Sequence, residues 1–189
     1  GMVNAATALT DDIGHIMNYG DGWYGGVFVA ALYSLAYLSN DINYIVEEAV
    51  KTIPAQSRFR RAMEDVIAWH KQYPEDWKIA WVKCLDKHNT DIGCPDGVIS
   101  PYNIDAVINS AYIAIALLYG EGDFEKTIDI ATRCGQDSDC NPASAGGVLG
   151  VRMGYKAIPR KFLCSLDSVE DRDFKYTDIS LSKVYELSF

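Results

Sequence analysis

Apolar residues recur every three or four positions along most of the chain, which is the spacing of an α-helix rather than of a β-strand. The first helical face so defined comprises Leu9, Ile13, Ile16 and Met17. A second face follows the glycine-rich loop at residues 20–26 and comprises Phe28, Leu32, Leu35 and Leu38. Small alanines lie among the residues of this second face, as in a buried helix.

The same spacing predicts six further helices, at residues 41–52, 56–72, 75–87, 103–119, 123–134 and 142–153. Asp41 and Asp123 are suited to cap two of them, and Pro54 and Pro74 follow the ends of two others. Residues 88–101 have the composition of a loop within the domain. From residue 160 the pattern fits a strand and a helix equally well. The sequence therefore predicts one all-α domain over residues 1–189, with an irregular tail at 160–189.

Charge and cysteine content exclude several classes of partner and favour one compartment. Acidic side chains outnumber basic ones by 26 to 17, so no basic stripe is available for nucleic acid or an anionic membrane. No apolar run reaches the length of about 18 residues that a membrane span needs. The five widely spaced cysteines favour free thiols in the cytoplasm. Gly1 is interpreted as a remnant of tag removal, and no secretory signal is predicted.

The stretch CGQDSDC at residues 134–140 places two carboxylates, Asp137 and Asp139, directly before a helix predicted to begin at Asn141 and Pro142. Carboxylates are stabilised at the positive end of a helix without any metal. The alternative is a site for a hard cation such as Mg²⁺ or Mn²⁺, built from these carboxylates with Ser138 and Asn141 nearby. The small residues at 143–150 suit the close approach of a backbone or a ligand.

Other chemical motifs in the sequence are weaker. Zinc is disfavoured because five residues separate Cys134 from Cys140 and no histidine is near. Nothing in the sequence links a histidine base to a thiol nucleophile. Residues 20–25 read GDGWYG, which formally matches the dinucleotide fingerprint, but a helix rather than a strand precedes them. They are either an anion-binding helix start or a tight turn between helices. Residues 10–12, reading TDD, are interpreted as a solvated helix surface or a local cap.

Two segments, at residues 18–31 and 120–141, together resemble the ADP-ribosylglycohydrolase family, especially its bacterial members. The second segment contains the family motif G-x-D-[ST]-D, which begins at Gly135 and ends at Asp139. The resemblance extends from near the start of the chain to about residue 159. It implies an all-helical fold with a two-metal magnesium site that hydrolyses the bond joining ADP-ribose to a protein side chain or a small acceptor.

The resemblance also implies the site residues. Asp137 and Asp139 would be the catalytic residues and ligands for Mg²⁺ or Mn²⁺, with up to two ions. Cys140 occupies a position where the family commonly has a threonine that joins the metal shell, and a neutral thiol is a poor magnesium ligand. The ADP-ribose pocket would be lined by residues of the first segment: Asn18, Tyr19, Gly20, Asp21, Gly22, Tyr24 and Gly25.

One departure from the family pattern limits the expected activity. The other acidic cluster of the family, a T-D-D motif with an upstream glutamate, lies in an N-terminal part that this chain is expected to lack, because residues 10–12 stand too close to the glycine motif. We therefore expect a C-terminal portion of the family fold, with weak or no hydrolysis by the isolated chain. A second copy or a partner chain could supply the absent carboxylates. The alternative is a non-catalytic ADP-ribose or nucleotide binder, or a half-protein that requires a partner.

Overall fold

A computed structural model describes residues 1–89 and 104–188, and these residues form ten α-helices and no strand. The helices are α1 Val3–Gly14, α2 Asp21–Ala36, α3 Ile42–Lys51, α4 Arg58–Gln72, α5 Trp77–His88, α6 Ala106–Gly120, α7 Phe124–Arg133, α8 Cys140–Met153, α9 Arg160–Leu163 and α10 Leu181–Leu187. The predicted all-α class is confirmed. The predicted loop at residues 88–101 lies outside the described residues from residue 90 onward, as does Cys94, and His88 ends α5.

The chain divides into two compact units, Gly1–Tyr155 and Lys156–Phe189. The second unit begins at Lys156, and the irregular tail was predicted from residue 160. Within the second unit, the segment that fitted a strand and a helix equally well forms α10, because the Ser180 hydroxyl caps it by accepting from the Lys183 N–H. No helix of the described residues has the length and apolar character to cross a membrane.

Helix α6 forms the centre of the first unit, and its residues from Val107 to Gly120 are all buried. It packs against α2, α3, α4, α5, α7 and α8. A helix that is apolar on every side is most stable when other helices surround it and exclude water from all of its faces. Asp105 starts this helix by accepting the Val107 N–H at 2.7 Å and the Ile108 N–H at 3.3 Å. The first turn of α6 is thereby fixed.

The residues of the first predicted apolar face are exposed. Leu9 is 62% exposed and Met17 is 87% exposed, and α1 ends at Gly14, before Ile16 and Met17 are reached. Helix α1 instead packs on α2 through its smaller residues: a Cβ on Gly14 would lie 2.9 Å from Trp23 Cδ1, and one on Gly26 would lie 3.3 Å from Thr10 Cγ2. Small residues permit this close helix contact.

The glycine-rich segment at residues 20–26 is also not a loop. Helix α2 begins at Asp21, and only Gly20, with φ of 56°, has the left-handed backbone of a turn. The interpretation as a tight turn between helices therefore holds at Gly20 alone. Gly25 is buried, and a Cβ there would lie 3.4 Å from the Ala106 Cβ and 3.8 Å from Phe59 Cε2. Close packing against α4 and α6 offsets the low helix propensity of glycine.

Candidate functional site

The loop at residues 134–139, here called the acidic loop, joins α7 to α8 and contains both predicted metal-binding aspartates. One ligand atom from each of Asp137, Asp139 and Cys140 lies within 4.8 Å of the other two. Asp137 is half-buried, whereas Asp139 and Cys140 are exposed. Within residues 1–89 and 104–188, this is the one group of three or more histidine, cysteine, aspartate or glutamate side chains with such spacing.

Helix α8 begins two residues before the predicted start. Asp139 is its N-cap, and Cys140, Asn141 and Pro142 form its first turn. The helical pattern starts early because the Asn141 N–H donates to the Asp137 carbonyl at 3.1 Å, and the Cys140 N–H donates to Asp137 Oδ1 at 3.3 Å. Pro142 fits there because an N–H in the first turn has no partner within the helix. Both carboxylates therefore adjoin the positive end of α8.

The pKa values of Asp139 and Cys140 are shifted in opposite directions. A hydrogen bond with the Asp137 side chain holds the pKa of Asp139 below its usual value, and backbone hydrogen bonds at Asp139 and Cys140 add to the effect. The pKa of the Cys140 thiol is raised, first by its hydrogen bond to Asp137 and then by the negative charge of both aspartates. These shifts favour the charged form of Asp139 and the neutral thiol of Cys140.

Two side chains from other helices hold the acidic loop. Trp81 donates its indole Nε1–H to the Cys134 carbonyl at 2.8 Å. Asn109 Oδ1 accepts the Asp137 N–H at 3.2 Å and the Asn141 Nδ2–H at 2.7 Å. Asn141 is thus buried and hydrogen-bonded to α6. The sequence had suggested it as a residue near the cation. Asn109 was not predicted as a site residue, and its signal in the sequence is a polar residue inside a strongly apolar helical segment.

Protein side chains fill the space beside the small residues of α8. A Cβ on Gly147 would lie 1.8 Å from the Tyr33 hydroxyl, and one on Gly146 would lie 2.8 Å from Ile128 Cδ1. The predicted close approach is therefore made by side chains of α2 and α7. Ala145, Val148 and Leu149 are buried, so α8 is also part of the core.

The predicted substrate residues of the first segment occupy different environments. Tyr19 is 88% exposed and Asn18 is exposed, before the start of α2. Tyr24 is half-buried and packs edge-on against Phe59, with ring centroids 6.5 Å apart. Gly22 lies beside Asn18, whose Oδ1 would be 3.3 Å from a Cβ added at Gly22.

Asp21 is held by an arginine. Arg58 Nη1 lies 3.3 Å from Asp21 Oδ2, and Nη2 of the same guanidinium lies 3.0 Å from Asp105 Oδ2. Arg58 Nη2 also donates to the His88 carbonyl at 3.1 Å. Burial tends to raise the pKa of Asp105, but Arg58 and the N–H groups of α6 outweigh it and hold that pKa below its usual value. The guanidinium therefore pairs with carboxylates at the start of two helices.

The N-terminus of α6 connects the two segments that carry the family motifs. Asp105 reaches Asp21 through Arg58, while Asn109, one turn further along, reaches Asp137. Asn109 Nδ2 also donates to the Asp105 carbonyl at 3.0 Å. The first residues of α2, α4, α6 and α8 are thus linked in one polar network, whose four helix N-termini favour negative charge.

Comparison with known families gives the same assignment as the motifs. The ADP-ribosylglycohydrolase family matches residues 2–186, nearly the whole chain. The chain belongs to this family. The match extends past residue 159, where the resemblance was expected to end, and reaches into α10. Searches of curated proteins and of solved structures returned no match.

The described residues fit one hard cation of the two expected in an ADP-ribosylglycohydrolase. Asp137 and Asp139 supply charged oxygen donors, which Mg²⁺ and Mn²⁺ prefer, with water completing the shell. The neutral thiol of Cys140 does not fit. The carboxylates of Asp21 and Asp105 are both paired with Arg58, and the Asp11 side chain lies 3.3 Å from His15 Nδ1. No second acidic cluster of ligand spacing occurs in the described part of the chain.

The other possibilities raised by the sequence gain no structural support. His88 Nε2 pairs with Asp65 Oδ2 at 2.7 Å, and the His70 ring packs against Tyr119. No hydrogen bond joins a histidine to a cysteine among residues 1–89 and 104–188. The apolar groove between α1 and α2, about 560 Å³ in volume, is lined by residues such as Leu9 and Tyr37 and includes neither aspartate of the acidic loop.

Proposed function

We propose that this member of the ADP-ribosylglycohydrolase family hydrolyses the glycosidic bond between ADP-ribose and a protein side chain or small acceptor, using Mg²⁺ or Mn²⁺ held by Asp137 and Asp139. The observation that carries the proposal is the juxtaposition of these carboxylates in the family motif, within 4.8 Å of each other at the start of α8. The low pKa of Asp139 favours the charged form that a cation requires.

When bound, the cation would orient the ribose hydroxyls and lower the pKa of a water molecule. The residues of the chain supply the rest of the chemistry. Asp137 and Asp139 contribute negative charge beside a carbon that becomes positive as the glycosidic bond breaks. The four linked helix N-termini favour the diphosphate of ADP-ribose, as helix N-termini do for phosphates in general. Tyr19, largely exposed, offers a ring on which the adenine could stack.

We expect the isolated chain to be a slow catalyst. Two carboxylates hold one cation, whereas the family chemistry implied by the resemblance uses two. A second copy or a partner chain that contributes carboxylates would raise the rate. The exposed apolar side chains of α1, including Leu9 and Ile13, support a partner as an associated proposal. We further propose that the protein acts in the bacterial cytoplasm, where its four described cysteines would remain the free thiols they are here.

A second candidate function is metal-independent binding of ADP-ribose. It is favoured by Arg58, whose guanidinium holds Asp21 and Asp105 at the start of α2 and α6 without a bound cation. The linked helix N-termini would then hold the diphosphate without catalysis. In this case Asp137 and Asp139 would serve as acids that adjoin the positive end of α8.

An activity assay with matched variants separates the two candidates. ADP-ribose release from ADP-ribosylated protein is measured with Mn²⁺ or with a chelator, for the wild type, Asp139→Asn and the control Asp129→Asn. Asp129 is an exposed acid on α7 that pairs with Arg133. Release that requires Mn²⁺ and disappears only in Asp139→Asn supports hydrolysis. Calorimetric binding of ADP-ribose in the chelator, without release in Mn²⁺, supports the binder instead.

A further inference from the structure

Asn109 is a buried polar side chain whose amide makes three hydrogen bonds. It is 7% exposed, its Oδ1 accepts hydrogen bonds from the Asp137 N–H and from Asn141 Nδ2, and its Nδ2 donates to the Asp105 carbonyl. A buried amide left without hydrogen-bond partners destabilises the folded state, because its donors and acceptors lose their bonds to water. A leucine at this position would serve the apolar centre of the bundle better, so the amide is explained by what it binds.

Two of its three partners belong to the acidic loop and to α8. The bond to the Asp137 N–H fixes the backbone of the residue whose carboxylate accepts the Cys140 N–H. The bond to Asn141 fixes the first turn of α8 on the other side of Asp139. Asp139 therefore lies between two points of attachment to α6, and both are made by the same oxygen atom.

This arrangement has an electrostatic consequence. Asp137 and Asp139 repel each other when both are charged, and an unrestrained loop would relax by moving them apart. The hydrogen bonds to Asn109 resist this movement and keep the two carboxylates close before a cation binds. Binding then costs less conformational entropy, because the loop is already ordered. Trp81 also holds the loop, but at the Cys134 carbonyl, three residues before Asp137.

We infer that Asn109 is a positioning residue that holds the acidic loop in its cation-binding geometry in the absence of the cation. The inference rests on the proposed function only for the identity of what binds. The position of the loop itself is a property of the metal-free protein. Asn109 thereby couples the family motif at the start of α8 to the Arg58 network at the start of α6 through the Asp105 carbonyl.

The experiment compares Asn109→Ala with the control Thr127→Val. Thr127 is also fully buried and donates to a backbone carbonyl, that of Asp123 at 2.7 Å, but it lies on α7 and makes no hydrogen bond to the acidic loop. Amide hydrogen exchange of the metal-free proteins is measured first, and calorimetric titration with Mn²⁺ second. If Asn109→Ala does not fold, Asn109→Ser, which leaves room for a bridging water, replaces it.

We expect exchange at the Asp137 amide to rise at least about tenfold in Asn109→Ala beyond any global change, and to stay unchanged relative to the global rate in Thr127→Val. Mn²⁺ affinity should fall by roughly tenfold or more in Asn109→Ala alone, the effect typical of losing a group that orients metal ligands. Unaltered local exchange in Asn109→Ala would overturn the inference, as would an equal loss of affinity in both variants. Failure of the wild type to bind Mn²⁺ would overturn the proposed function, while the exchange experiment would still decide the role of Asn109.

Discussion

The contact between Gly147 of α8 and Tyr33 of α2 makes a sharp prediction about stability. Alanine at position 147 would place its Cβ 1.8 Å from the Tyr33 hydroxyl and 2.7 Å from Tyr33 Cζ, far inside van der Waals contact. The half-buried ring would have to move, and such overpacking costs about 1–3 kcal/mol. Alanine regains about 1 kcal/mol through its higher helix propensity. Gly147→Ala should therefore lower the free energy of unfolding, by about 1 kcal/mol within those ranges.

Gly26→Ala is the matched control, because Gly26 is an exposed glycine inside α2. Its nearest obstacle is the Thr10 methyl group at 3.3 Å, which needs to move only slightly, so this variant should be neutral or more stable. Urea denaturation followed by circular dichroism measures both variants, alone and combined with Tyr33→Ala. Removal of the ring should make Gly147→Ala stabilising. Equal stabilisation by Gly147→Ala and Gly26→Ala in the wild-type background would refute the packing described for α8.

Two further predictions concern titration and thiol reactivity. Because the folded-state pKa of Asp105 lies below its unfolded value of about 3.9, its contribution to stability is present above that pH and is lost as the pH falls through the folded-state pKa. Urea midpoints measured between pH 6 and the acid limit should therefore fall less steeply in Arg58→Met than in the wild type, and identical slopes would contradict this. In a Cys94→Ser variant, Cys84 and Cys134 should react with a thiol reagent only on unfolding, because both are buried and burial raises the pKa of Cys84 to about 12. Rapid labelling of either in the native protein would be inconsistent with this packing.

Helix positions could be predicted from the sequence where a local signal determined them. Asp41 and Asp123 cap α3 and α7 as expected. An aspartate side chain just before an amphipathic helix can accept the free N–H groups of the first turn. The central position of α6 could be expected in the same way, since its residues are apolar on every side. These features depend on neighbours a few residues apart, so they are visible in the pattern itself.

The errors arose where distant contacts decide the structure. Leu9 and Ile13 define the stronger apolar face of α1, but α1 packs on α2 through small residues such as Gly14 because that side permits a closer approach. The glycine-rich start of α2 resembled a loop, yet packing against α4 and α6 makes it helical from Asp21. The packing face of α1 and the helical start of α2 cannot be predicted without knowing which helices lie beside them.

The sequence predicted the acidic residues of the candidate site, but not the residues of other helices that hold them in place. Asp137 and Asp139 lie within one short motif, so the sequence alone could bring them together. Asn109 precedes Asp137 by 28 residues, and Arg58 lies 37 residues after Asp21, so their contacts depend on the arrangement of the helices. The sequence contained only a weak signal for Asn109, a polar residue within an apolar helix.

The most direct test of the account is the position of a cation relative to the acidic loop. Anomalous diffraction at the manganese edge, from crystals of the wild-type protein grown with Mn²⁺, would locate the ion without assumptions about activity. The account predicts a peak within coordination distance of carboxylate oxygens of both Asp137 and Asp139, absent from crystals of Asp139→Asn. A peak only at another acidic surface, such as the one formed by Glu121, Asp123 and Asp129, or the absence of any peak at the acidic loop, would contradict it.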